Sequence, residues 1–279
     1  MLNSPVAVGV TDGQNPDVVR FALEEAMRLD RPLRVVHVVE TSSREGLFVE
    51  HLGHDLQDLL EAVPIERVTL FGDAESVLLA ESGTVCRLVL GADDLALSPA
   101  HWSEVALRVA MQATVPVVVV PASSPPAATS HVLVAVDDAQ SFEGQLAYAF
   151  EAAEQRGVAL CVVFGAGTMS DYPGRLRHLD RVEEILDGWR TMHPTVQVDV
   201  SVDGGNPVDS CLQAGTHASL MVIGRPAGKH PRVGSRSVAS RILRAATVPV
   251  AVVPLDYTTP LAPDLLAVAG IGETSHLWR

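Results

Sequence analysis

Short runs of aliphatic and β-branched residues, Val6–Val10, Leu33–Val39, Ile65–Leu70, Arg87–Leu90 and Val115–Val120, are separated by longer stretches of a different period. A second set follows at Val132–Val136, Leu160–Phe164, Gln197–Val202, Leu220–Ile223 and Val250–Val253. Such runs read as strands buried on both faces, the habit of a parallel sheet. Between them, stretches such as Val18–Leu29 and Val238–Ala246 place apolar residues three and four apart, which gives each helix one face to lay on the sheet. Strands alternating with helices predict βαβ units and an α/β fold. Asp73 and Asn206 stand where helix N-caps belong.

The pattern repeats. Thr114-Val115-Pro116-Val117 through Pro121 recurs 133 residues further on as Thr247-Val248-Pro249-Val250 through Pro254. The same offset carries Leu88–Gly91 onto Met221–Gly224 and Gly72-Asp73-Ala74 onto Gly205-Asn206-Pro207. Ala22–Ala26 matches Ala149–Ala153 at a slightly smaller offset, so one small length change lies between. This period is far longer than that of solenoid repeats, and 279 residues suit two domains of about 140. The expectation is two tandem open five-stranded parallel sheets with helices on both faces, in a Rossmann-like arrangement. Domains are expected at 1–124 and 130–256, joined by the Pro-, Ser- and Ala-rich stretch Ala122–Ser130. The tail 257–279 has no counterpart in the first copy; one short helix is expected at Pro263–Ala269.

Composition narrows the classes. Apolar residues make up 47% of the chain, yet no uninterrupted apolar run approaches the ~18 residues that would cross a bilayer. The N-terminus shows no basic region or cleavage site, so a cytoplasmic, non-membrane protein is expected. A net charge of −14 opposes an extended nucleic-acid surface. Cys86, Cys161 and Cys211 lack metal-type spacing and lie among apolar residues, as core thiols do. His51 with His54 reads as a solvated helix face, and Gly165-Ala166-Gly167 as a turn. No zinc helix, Gly-x-Ser-x-Gly elbow or complete Walker loop occurs, so no catalytic residue is assigned.

Ligands of open parallel sheets collect at the carboxyl ends of the strands, where the winding reverses. In the second copy these are the loops at Asp137-Asp138-Ala139 and Gly224–Ser237. The latter leads into a helix start, whose free N–H groups suit an anion. The strand end Val134-Ala135-Val136-Asp137, the turn Gly205-Asn206-Pro207, Gly224 with Gly234-Ser235, and the closing Thr-Val-Pro-Val strand together resemble the universal stress protein family, over about residues 5–254. The resemblance implies an adenine-nucleotide alpha-hydrolase-like fold. It also implies a cytoplasmic, non-enzymatic stress-response or signalling role, and pairing of the two domains through their fifth strands as a pseudo-twofold internal dimer. A homodimer stays open as a further partner.

In ATP-binding members, the residues matching Asp137 and Ala139 border adenine and ribose. Those matching Gly224, Gly234, Ser235, Arg236 and Ser237 border ribose and phosphates. Here Ala227 stands at the family's second glycine, and the loop is three residues short. Lys229, His230, Arg232 and Arg236 nevertheless cluster there, a grouping that suits a phosphate or simply faces water. In the first copy Asp93-Asp94 and His101-Trp102 replace the phosphate loop, and Thr11-Asp12-Gly13 leaves open which residue matches Asp137. At most one ATP site, in the second domain, is therefore expected. Two alternatives stay open: a nucleotide-independent interaction scaffold, and a slow ATP-hydrolysing enzyme using Asp137 and Arg225–Ser237.

Overall fold

The computed structural model describes residues 4–11, 16–39, 62–92, 102–122, 131–137, 142–165, 172–203, 206–225 and 237–258. In chain order the N-terminal half holds β1 (Val6–Val10), α1 (Pro16–Arg28), β2 (Leu33–Val39), β3 (Ile65–Phe71), α2 (Ala74–Glu81), β4 (Arg87–Gly91), α3 (Trp102–Gln112) and β5 (Val117–Val120). The C-terminal half holds β6 (His131–Asp137), α4 (Glu143–Arg156), β7 (Ala159–Gly165), α5 (Tyr172–Met192), β8 (Val198–Asp203), α6 (Pro207–Ala214), β9 (Leu220–Gly224), α7 (Val238–Ala245) and β10 (Val250–Val253). β5 starts two residues later than its apolar run because Pro116 has no N–H to give to a ladder. The region of the short helix expected at Pro263–Ala269, and that of His51 and His54, lie outside the described residues.

All ten strands form one sheet in the order β3-β2-β1-β4-β5-β10-β9-β6-β7-β8. Every described pairing is parallel except β5 with β10, which run antiparallel and set Val118 opposite Ala251. The order reads the same from either end. Register makes the correspondence residue by residue: Val6 aligns with Leu33 and Arg87 as Val132 aligns with Leu160 and Leu220. Likewise Leu33 aligns with Ile65 as Leu160 does with Val198, and Leu88 with Val117 as Met221 does with Val250.

Two apolar layers sandwich the sheet. One packs α1, α4 and α5 through Val18, Leu23, Leu146, Phe150 and Leu186. The other packs α2, α3, α6 and α7 through Leu78, Val109, Cys211 and Ile242. Strands covered on both faces need no polar alternation, which is why the Val-rich runs are continuous. The outer strand β3 departs from this, with Glu66, Arg67 and Thr69 interleaved and Phe71 exposed. Helix starts follow the sequence closely. Asp73 accepts from Ser76 N at 2.9 Å, and Asn206 accepts from Val208 N at 3.1 Å.

Candidate nucleotide crevice

β6 and β9 are neighbours at the point where the chain turns to wind the other way, with β7 and β8 on one side and β10 on the other. Their carboxyl ends carry Asp137 and Gly224, the last residues of the two strands. Ser237 is the N-cap of α7. Its Oγ accepts from Ser240 N at 3.1 Å and shares a 2.6 Å hydrogen bond with Ser240 Oγ. The structure thus places Asp137 and Gly224 at adjacent strand ends, and Ser237 at the start of the helix that follows β9 by way of residues 225–236. Ala139, Gly234, Ser235 and Arg236 lie outside the described residues, as does the side chain of Asp137.

Two residues at this crevice make contacts that the sequence reading did not give. Gln145, buried in the first turn of α4, donates from Nε2 to Ala135 O at 3.0 Å and lays its amide on Gly224. A Cβ at Gly224 would sit 1.9 Å from Gln145 Oε1, so glycine is what admits the amide there. The signal was present in the repeat: Gln145 stands where the first copy has Val18. Arg225 is the second. Its Nη1 donates to Ala113 O at 2.7 Å, at the carboxyl end of α3 in the other half. That guanidinium is engaged in holding the two halves together.

The equivalent place in the N-terminal half is apolar. Gly91 of β4 matches Gly224, and Val18 is buried where Gln145 would recur. Register also removes the ambiguity at the end of β1. Thr11 follows Val10 as Asp137 follows Val136, so a threonine hydroxyl replaces the carboxylate. Among the described residues, no three His, Cys, Asp or Glu side chains gather as a metal site would require. No described helix is long and apolar enough to cross a membrane.

No protein-family model matches the chain. A universal stress protein of Mycobacterium tuberculosis is 31% identical over 202 residues, which cover 67% of this chain and 75% of the relative. The chain belongs to the universal stress protein family. A Mycolicibacterium smegmatis member is 26% identical, with 89% of this chain and 96% of its own length aligned. The crystal structure of a universal stress protein from Archaeoglobus fulgidus shares the fold at a TM-score of 0.63 and 18% identity, covering 91% of this chain and 97% of that one. This universal stress protein therefore has the α/β architecture of its relatives along both halves, while the strand ends of the two halves differ in chemistry.

Proposed function

We propose that this universal stress protein is a non-enzymatic stress-response or signalling protein that takes one adenine nucleotide, between the carboxyl ends of β6 and β9. The supporting observation is the polar contrast between the two switch points. At β9 the bare Gly224 faces a carboxamide, and the following helix opens on a serine cap. At β4 the matching glycine is Gly91, and the residue at the place of Gln145 is the buried Val18. An amide can hydrogen-bond a base edge, whereas valine methyls cannot. Asp137 and Ala139 would border adenine and ribose, and Gly224, Gly234, Ser235, Arg236 and Ser237 the ribose and phosphates.

Calorimetric titration of the full chain with ATP, ADP and AMP tests this. One site per chain is expected, weakened about tenfold or more by Gln145→Val, which copies the first half. A second reading, a nucleotide-independent interaction scaffold, is favoured by one observation: Gln145 and Arg225 already spend their polar groups on Ala135 and Ala113. Absence of heat and of thermal shift at millimolar nucleotide selects it. Phosphate release from magnesium ATP that disappears on Asp137→Ala would instead indicate an enzyme.

A further inference from the structure

Where the two halves meet, α1 and α4 are joined by buried charge. Glu25 accepts hydrogen bonds from Arg87 Nη1, Arg156 Nη2 and Arg28 Nη1, the last at 3.2 Å. Glu25, Arg87 and Arg156 are all buried, while Arg28 is partly exposed and also reaches Glu24 at 3.1 Å. Arg87 lies over the ring of Tyr148, 4.6 Å from its centroid, so it too spans from the N-terminal half to α4. Arg156 Nη1 donates to Ala152 O at 3.2 Å, which fixes the guanidinium that crosses to Glu25.

None of this recurs in the repeat. The matched helices put Ala152 at the place of Glu25 and Leu29 at the place of Arg156, and the strand register puts Leu220 at the place of Arg87. We propose that this one-sided network is the recognition code by which the N-terminal half selects the C-terminal half as its partner and rejects a second copy of itself.

The strands cannot supply that selectivity. Val117–Val120 and Val250–Val253 are both short, apolar and buried. Val118 and Ala251 are equivalent in the repeat and face each other at the seam, so a β5–β5 seam would keep the same ladder. The charges do discriminate. Two N-terminal halves would set each Glu25 against the other's Leu29, so that it keeps Arg87 and Arg28 of its own half but loses Arg156, and would take Arg87 off the Tyr148 ring. Two C-terminal halves would bury two Arg156 guanidinium groups against Ala152, with no carboxylate between them. A buried ion pair adds little net stability, but a buried charge that loses a partner is costly. The preference therefore arises mainly from the penalty on the wrong pairing.

The test uses full-length chains carrying Val118→Cys, refolded and mildly oxidised with a glutathione mixture. Only a β5–β5 seam brings two such cysteines together, and its product is a covalent dimer on a non-reducing gel; the chain without the added cysteine is the control. In the triple variant Glu25→Ala, Arg87→Leu, Arg156→Leu, each network residue takes the identity found at its counterpart. The cross-linked fraction is expected to rise about tenfold or more over the chain with the network intact. Leu29→Arg, added to the intact network, gives like halves the missing ion pair while keeping every charged residue of the network, at the cost only of the partly buried Leu29 side chain, and is expected to raise cross-linking severalfold. No increase in either variant overturns the proposal. Should the triple variant fail to fold, the Leu29→Arg chain alone decides, and an unchanged fraction there overturns it equally.

Discussion

Arg225 Nη1 donates to the carbonyl oxygen of Ala113 at 2.7 Å, tying the residue after β9 to the carboxyl end of α3 in the opposite half. The last carbonyls of a helix have no partner within it, and a cation there also opposes the helix dipole. Arg225→Ala should cost about 1–2 kcal/mol of stability, read by urea denaturation. Because that side chain is turned to Ala113, nucleotide affinity should stay within about twofold. A variant as stable as the parent but much weaker in nucleotide binding would show that Arg225 serves the phosphate instead.

Gly224 and Gln145 should behave as a coupled pair. A methyl at Gly224 falls on Gln145 Oε1, the free end of a flexible side chain, so the amide is expected to swing away and lose its bond to Ala135. Gly224→Ala alone should cost about 1–2 kcal/mol. In a Gln145→Ala background the methyl meets no amide, so the two losses should fall short of additive by about 1 kcal/mol in a double-mutant cycle. Full additivity would remove the contact from consideration.

How far the sequence led is visible in particular residues. The strands, and the Asp73 and Asn206 caps, could be read because each rests on a local rule: continuous apolar runs for buried strands, and a side-chain acceptor before a helix. Gln145 and Arg225 could not, because their partners are a backbone carbonyl on a neighbouring strand and one on the other half. Such contacts exist only once the sheet has assembled. Glu25 was hidden for the same reason. On α1 it reads as one of two adjacent surface glutamates, and nothing local separates it from Glu24; only the approach of Arg87 and Arg156 makes it a core residue. The single-copy character of these residues was nevertheless legible as departures from the internal repeat.

Glu151 should make stability depend on pH. Burial pushes its carboxyl up to about 7 from an ordinary 4.5, partly countered by the hydrogen bond from Tyr257 Oη at 2.9 Å and by Arg87, and reinforced by nearby Glu154. The folded protein holds this proton more tightly than the unfolded chain. The contribution is therefore fully present below about pH 4.5, declines as pH rises, and levels off above about 7, a span on the order of 3 kcal/mol. Glu151→Gln keeps the shape and an acceptor for Tyr257 but has no proton to lose. Denaturation midpoints between pH 5 and pH 8 should fall more steeply for the parent than for Glu151→Gln; equal slopes would place the titration elsewhere.

Ser237 separates a structural role from a binding one at a single atom. Its Oγ accepts from Ser240 N, which satisfies one of the unpaired donors at the start of α7. Ser237→Ala should therefore cost about 1 kcal/mol whether or not a nucleotide binds. Ser237→Asp is the informative change, because aspartate caps a helix as well as serine does while presenting a negative charge. With a phosphate group near this helix start, Ser237→Asp should keep the parent's melting temperature and weaken ATP more than AMP, by about tenfold or more for ATP. Thermal melts and calorimetry on the same two proteins measure both quantities. Equal retention of stability and of ATP affinity would confine Ser237 to capping and move the phosphate, if one is bound, away from α7.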